Sequence, residues 1–565
     1  MPAHDTLPVG GPATSTVNAA PSSPWSPLAQ PVFRALWIAS VASNIGTWMQ
    51  SVGAAWLMTS LTSSALLVAL LQTATSLPVF LVGLPAGALA DVIDRRHVLL
   101  VTQAWMLATA CLLGALTLAG AMSDWGLLAL TFLLGLGAAL NAPAWQAIVP
   151  ELVGRRDLAV AVALNSAGFN LARAVGPALG GLVVAALGPG AVFLLNAASY
   201  LGVLLVIYRW QRRPETTTAP SERVFGAIQA GVRYARHAPR LQAVLVRTGT
   251  FIFAASALWA LLPVVARNEL GLDATGYGVL LGSLGLGAVG GAALLPRFRR
   301  ALPVDRLVVA ATVVFAVATL ALGFIPNLLL LDATLIAGGI AWITLTSSLN
   351  VSAQSTAPAW VRARVLGVYL LVFQGGLAAG SFVWGELATE FGNPAALGGA
   401  ALALLAGAAV ARRWRLQPVE EIDLTPALYF AEPRLILEPD PEDGPVLVTA
   451  EYQVPNANAR AFVQAMEAVG RHRRRDGAMR WGLFRDPAAP EHYIETFVVA
   501  SWAEHMRQHE RATASDETTR AHALTFVAPG TAPVVAHYIA AQALNPDPAA
   551  APATPVAATE GASNP

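Results

Sequence analysis

Apolar stretches follow one another from residue 35 to residue 410. Each runs roughly 17 to 25 residues, long enough as a helix to cross a hydrocarbon layer about 30 Å thick. The pattern predicts twelve membrane spans, at residues 35–58, 66–90, 98–118, 127–148, 158–187, 191–207, 244–265, 279–295, 307–324, 329–349, 365–387 and 395–410. Short turns rich in arginine, glycine and proline divide them. Residues 1–31 hold Pro, Ser, Thr and Ala without periodicity and without a basic segment leading into an apolar core, which predicts a disordered tail and not a signal peptide. After residue 415 charges and prolines return, and from residue 446 short alternating runs interleave with amphipathic ones.

Composition places the chain in lipid. Hydrophobic residues make up 55% and charged residues 12%, against about 25% charged in an ordinary soluble protein. Lys+Arg 35 against Asp+Glu 34 leaves almost no net charge, so there is no electrostatic reason to expect nucleic acid as a partner. No lysine occurs, so every fixed cation is an arginine, and the arginines are sorted by turn. Arg95 and Arg96 follow the second span, Arg155 and Arg156 the fourth, Arg212 and Arg213 the sixth, and Arg297, Arg299 and Arg300 the eighth. Arg362 and Arg364 follow the tenth and Arg412, Arg413 and Arg415 the last. The opposite turns carry only Arg267 among basic residues, beside Asp124, Glu269, Asp273 and Glu390. Positive charge is retained on the cytoplasmic side, so the expectation is a multi-pass protein of the cell inner (plasma) membrane with both termini cytoplasmic. The long connection at 211–242 is a cytoplasmic linker loop between a first six-helix half, 32–210, and a second, 243–415, as in a parallel-repeat transporter. The lone cysteine, Cys111, sits in an apolar stretch and reads as a buried packing residue.

Three motifs carry more. The second span ends in Gly87-Ala88-Leu89-Ala90-Asp91-Val92-Ile93-Asp94-Arg95-Arg96, and the fifth contains Gly176-Pro177-Ala178-Leu179-Gly180-Gly181. Glycine at such spacing allows close helix approach, and an interior proline removes a backbone hydrogen bond and bends its helix. The third is a combination: Phe33-Arg34-Ala35-Leu36-Trp37, Leu164 through Arg173, and Gly276-Tyr277-Gly278 running into Gly282, Gly285, Gly287 and Gly290. Over about residues 31–415 the chain resembles the major facilitator superfamily, in the branch that contains the enterobactin exporter and related transmembrane secretion effectors. The resemblance implies a twelve-helix, 6+6 pseudo-symmetric fold, all-α and polytopic. It also implies proton-coupled, alternating-access export of a small molecule such as a siderophore, drug or secondary metabolite, with no cofactor beyond the proton gradient. By the same resemblance Asp91 and Arg95 form a cytoplasmic latch holding the outward-facing state, and the Gly176-Pro177 motif belongs to antiporters and exporters. An importer of the same fold, and a membrane-tethered fusion with a monooxygenase-like enzyme at its C-terminal end, are the alternatives.

Polar side chains inside spans are costly in lipid and therefore functional candidates. Arg173, near the middle of the fifth span, is the first candidate for an anion-binding or proton-linked role. Glu386 and Asp332 are the acids that titrate at depth if any do, although both lie toward the outer end. Asn44, Gln50, Gln72, Asn165, Asn170, Asn196, Gln354 and Gln374 are placed to line a cavity or to hydrogen-bond between helices.

Residues 416–444 read as a linker, 445–541 as a soluble domain and 542–565 as a disordered tail. Within the domain, strands are predicted at 446–452, 479–485, 493–499 and 534–539, helices at 459–473 and 503–511, and a helical turn near 517–523. That order is α+β and ferredoxin-like, and it resembles the antibiotic-biosynthesis monooxygenase-like domain, which implies pairing of two copies. His472, His492, His505 and His509 are the candidates for chemistry there. His505 and His509 share a helix face, as a metal pair requires, but no third ligand is evident and the charged run around them predicts a solvated face. No catalytic and no metal-binding residue is assigned, and ligand sensing or homodimerisation is favoured over catalysis.

Overall fold

The computed structural model describes residues 23, 25–154, 157–210, 224–416, 423–425, 427 and 439–541, excepting the side chains at 88, 90–92, 224–228 and 410. Most of the expected N-terminal tail, the C-terminal tail, most of the linker at 416–444, Arg155, Arg156, Arg212, Arg213 and the Asp91 side chain lie outside that description. The end of the tail expected at 1–31 is structured instead, in a 3-10 turn at Ser26–Ala29 whose Ser26 donates to Asp157 at 2.6 Å.

The first half comprises α1 (Pro31–Leu61), α2 (Ala65–Val92), α3 (Arg95–Leu118), α4 (Asp124–Leu152), α5 (Leu158–Leu187) and α6 (Pro189–Arg209). A short helix, α7 (Val224–His237), precedes the second half: α8 (Pro239–Val264), α9 (Ala274–Ala301), α10 (Val304–Phe324), α11 (Leu328–Ser355), α12 (Arg362–Phe391) and α13 (Asn393–Val410). Every predicted span lies inside one of these helices except at Val265, where α8 passes into a π-helical turn, Val265–Glu269. Among the described residues ten helices are long and apolar enough to cross a membrane by length and composition. The other two are α13, which is short, and α1, which carries Asn44, Thr47, Gln50 and Ser51.

Capping sets the turns. Ser64, Asp94, Ser123, Asp273 and Asn327 each accept a backbone N–H in the first turn of the helix that follows, satisfying a donor that would otherwise be orphaned. The two halves share one such device. Both α5 and α12 are 30 residues long, and they end at Gly188 (φ +80°) and Gly392 (φ +84°). This left-handed conformation favours glycine. A proline follows at the first or second position of the next helix.

Between the halves, α5 packs on α9 and α2 on α12. Thr73 donates to the Ala378 carbonyl at 2.9 Å and Thr389 accepts from the Leu66 N–H at 3.0 Å, tying α2 to α12. The linker expected as a plain loop contains α7, whose Tyr234 and Ala235 are buried against Val361 and Val365. It escaped the span pattern because only one of its faces is apolar. Cys111 is exposed on the lipid-facing side of α3 rather than buried. In a bundle that presents apolar side chains to lipid on its outside, position inside an apolar run does not imply burial.

The C-terminal domain orders as β1 (Val446–Gln453), α14 (Ala459–Asp476), β2 (Arg480–Arg485), β3 (His492–Val499), α15 (Trp502–Arg511), α16 (Ala514–Leu524) and β4 (Val534–Ile539). Its antiparallel sheet runs β2-β3-β1-β4, the ferredoxin-like arrangement. Val446, Val448, Ala450 and Tyr452 alternate inward from β1 and meet Phe462 and Met466 of α14 and Phe497 and Val499 of β3. The domain docks on α7: Arg233 pairs with Glu504 at 3.0 Å, Arg475 lies over the Tyr234 ring and Arg511 over Trp360 in the α11–α12 turn.

Candidate substrate site between the two halves

The glycine motifs found separately in the sequence meet in space. A Cβ at Gly176 would stand 2.5 Å from the Trp48 Cβ and one at Gly180 2.8 Å from the Met49 Cα, so these two glycines seat α5 against α1. Gly181 faces the other way, where an added Cβ would stand 2.6 Å from the Ala274 carbonyl, while one at Gly278 would stand 2.9 Å from the Pro177 carbonyl and one at Gly285 2.8 Å from that of Arg173. Small residues are what such close backbone approach requires. The motif therefore wedges α5 between α1 of its own half and α9 of the other. Trp37 donates to the Leu164 carbonyl at 3.1 Å, joining the first two motif segments in the same way.

This packing places Arg173 at the seam. Its guanidinium carbon lies 5.7 Å from the ring centre of Trp48 on α1, 5.5 Å from Trp259 on α8 and 5.9 Å from Trp342 on α11. Each distance is within the roughly 6 Å reach of a cation–π contact. Nε is buried without a partner, and Arg173 forms no ion pair among the described residues. A second aromatic group closes the opposite end of the bundle from the arginine-rich turns. Arg267, in the π-helical turn, lies 5.1 Å over Trp56 and donates to Thr59 at 3.2 Å, and Trp56 stacks on Tyr277 of α9 at 6.4 Å. Trp48 and Trp56 are eight residues apart on α1, so the seal stands about 12 Å along the helix axis from the cage.

The other candidates do not converge there. Asn170 donates to Ser166 O at 2.8 Å and Gln72 to Ser76 at 3.1 Å, both within their own helices. Asp332 accepts from Ser283 at 2.8 Å, linking α11 to α9. Gln50 and Asn196 form a buried 2.6 Å bond between α1 and α6. Glu386 is exposed, and Asn165 and Gln374 are half-buried. Around the expected latch, Arg95 pairs with Glu151 of α4 at 2.8 Å, and Arg96 donates to the Tyr208 carbonyl at 2.7 Å at the end of α6. Both contacts stay within the first half. Gly87 has no neighbour within 4 Å of an added Cβ, so the close helix approach expected of it is absent.

Comparison with known proteins decides the family. The profile of the transmembrane secretion effector family matches residues 22–544. The chain belongs to that family. The multidrug efflux pump Tap of Mycolicibacterium fortuitum is 29% identical over 58% of this chain and 82% of its own length. The enterobactin exporter EntS of Salmonella typhimurium is 30% identical over 46% and 63%. The staphyloferrin A transporter of Staphylococcus aureus is 21% identical over 70% and 94%. Among solved structures, a bacterial homologue of the lysosomal transporter Spinster, inward-facing and occupied, aligns with TM-score 0.57 and 16% identity over 70% of this chain and 98% of its own. That likeness shows the fold, one that solved membrane transporters share, and the family match makes the chain a multi-pass membrane protein of the transmembrane secretion effectors.

In this secretion effector the domain after the bundle corrects one expectation. His505 is 1% exposed, and Trp502, Gln508 and Arg511 of α15 are buried with it. The face that carries His505 is not solvated, because α15 lays these side chains against the sheet and α14, while Arg507 and Glu510 of the same run stay exposed. The structure adds His537 of β4, whose ring centre is 4.7 Å from that of His505, with His509 at 4.6 Å. Burial and the neighbouring histidines and Arg473 lower His505 to about 3, and burial with His537 and Arg473 lowers His509 to about 4, so the cluster is neutral at pH 7. Among the described residues no His/Cys/Asp/Glu group has the arrangement of a metal site. His472 sits against Asp516 and His492 against Glu451, apart from the cluster. Glu504 gathers Arg511 at 2.6 Å, Arg507 at 2.9 Å and Arg233 at 3.0 Å. Burial alone would raise its carboxyl, but these arginines hold it below the ordinary value.

Proposed function

We propose that this secretion effector is a secondary active exporter. It moves a small molecule, of siderophore, drug or secondary-metabolite kind, outward across the inner membrane by alternating access coupled to the proton gradient. The observation that carries this reading is the Arg173 cage, a charge without a counterion among the described residues at the seam of two six-helix halves, since intramembrane charge marks a substrate or proton path. The names of the relatives, an enterobactin exporter and a multidrug efflux pump, support the outward direction. The arginine-rich turns support cytoplasmic termini, which makes the Arg267–Trp56 seal the outer one. The gating role given to Gly87, Asp91, Arg95 and Arg96 and the hinge role of Gly176, Pro177, Gly180 and Gly181 belong to the same proposal. The C-terminal domain is read as a sensing or dimerising unit, its outer sheet face exposing Phe484, Val534 and Tyr538 to a second copy. Inside-out vesicles test the function: a candidate metabolite accumulates when an inward-acid gradient is imposed and stops when a protonophore collapses it. Accumulation in intact cells instead makes the chain an importer and ends the proposal.

A further inference from the structure

We infer that the Arg173 cage binds the oxyanion of a small planar aromatic molecule, of the aromatic carboxylate or phenolate class. The inference rests on reading the cage as the substrate site, and it names what that site selects. Two donors in the cage are buried and unsatisfied, Nε of Arg173 and Nε1 of Trp259, and their groups are neighbours, with the guanidinium 5.5 Å from the Trp259 ring centre. A positive charge and two N–H groups without an acceptor call for an anion with several lone pairs. A cationic ligand would meet like charge. A neutral apolar ligand would bury the charge further and leave both donors unpaired.

The walls choose the rest of the ligand. Trp342 packs edge-on to Trp259 at 5.2 Å and lies 5.9 Å from Phe251, 5.6 Å from Phe315 and 6.2 Å from Phe373. Phe251, Phe315 and Trp342 are buried against one another, so the rings partly exposed beside the charge are Trp259 of α8 and Trp48 of α1. Ring quadrupoles favour offset or edge contacts with a further flat ring. Among the described residues no acid pairs with Arg173, so the incoming oxyanion supplies the counter-charge itself.

The experiment is calorimetric titration of the purified full-length protein with three probes of one size: salicylate (anion), salicylamide (neutral at pH 7) and benzylamine (cation). Salicylate is expected to bind saturably, salicylamide at least about tenfold more weakly, and benzylamine without heat. Arg173→Gln should weaken salicylate by about tenfold or more and remove its preference over the amide. Trp259→Phe, which keeps the ring and deletes the donor, should weaken salicylate several-fold and leave the amide unchanged. Size-exclusion and melting profiles matching the parent certify each variant. Equal binding of the amide or the amine, or salicylate affinity untouched by either substitution, overturns the inference. Proton-driven uptake of other compounds into inside-out vesicles would still leave the transport reading standing in that event. Conversely, salicylate binding with no transport of any compound would sink the transport reading and keep the site.

Discussion

Replacing Arg173 with methionine separates a functional charge from a structural one. An arginine at a helix centre costs about 2.5–3.5 kcal/mol to insert on biological scales. Three indoles at 5.5 to 5.9 Å stand near the roughly 6 Å limit of the contact, so each returns about 0.5–1 kcal/mol, the low end of a range that reaches about 2 for a close desolvated pair, and the buried Nε returns nothing because it has no partner. The balance leaves Arg173 neutral to destabilising by up to about 2 kcal/mol. Arg173→Met, similar in length and flexible, should therefore melt at the parent temperature or a few degrees above it while losing at least about tenfold in transport, a trade expected where a site holds an unsatisfied group.

The assay pairs tryptophan-fluorescence melting in detergent with proton-driven uptake into inside-out vesicles. A variant less stable than the parent by more than about 2 kcal/mol would refute the reasoning. It would mean that the tryptophans and the cation hold the bundle together, and that lost transport reports damage.

Four further outcomes follow from the geometry. Gly285→Leu must push α9 from the Arg173 carbonyl, only 2.8 Å from an added Cβ, costing about 1–3 kcal/mol and stopping transport, whereas Gly202→Ala on α6, facing open space, should melt and transport as the parent does. Because His505 and His509 are lowered to about 3 and about 4, the unfolded chain binds protons that the folded domain refuses. Stability is then full above about pH 6.5 and falls by up to about 1.4 kcal/mol for the buried His505, and by less for the partly exposed and screened His509, for each unit of acid below it; melts of the domain between pH 7 and 4.5 should show the fall, and His505→Phe should flatten it. Glu504→Gln removes the shared partner of Arg511, Arg507 and Arg233, so hydrogen exchange should rise in α7 and α15 together. In a Cys111→Ser background, cysteines at Arg300 and at Asp124 should react with impermeant maleimide from opposite sides of the membrane; reaction from one side ends the proposed topology.

The bundle was legible because lipid imposes a simple rule. Backbone groups must bond within the helix, so length and hydropathy alone located each span, and the glycines of the fifth span marked a closely packed helix, while its partner in the eighth emerged only from the structure. Arg173 stood out for the same reason, as a charge where none is cheap. The three tryptophans around it did not. Trp48, Trp259 and Trp342 are ordinary apolar letters until helix rotation turns them toward one point, and hydropathy carries no rotation. The amphipathic α7 was missed because half of it is polar, and His537 because it reaches His505 only through the β1–β4 pairing.

The cage is built from both halves. Trp48 and Arg173 belong to the first and Trp259 and Trp342 to the second, and the Arg267–Trp56 and Trp56–Tyr277 contacts of the seal bridge the same division. In the proposed alternating-access cycle, opening the sealed end separates Trp56 and Thr59 from Arg267 and Tyr277. The same rocking draws the second-half indoles off Arg173. A ligand that needs all three rings then binds the sealed form better than the open one, and only such a difference in affinity shifts a conformational equilibrium. A tenfold loss of affinity on opening corresponds to about 1.4 kcal/mol, enough to move two nearly balanced states from parity to about ten to one. Release on the far side thus requires no separate device, because opening takes apart the site that held the substrate.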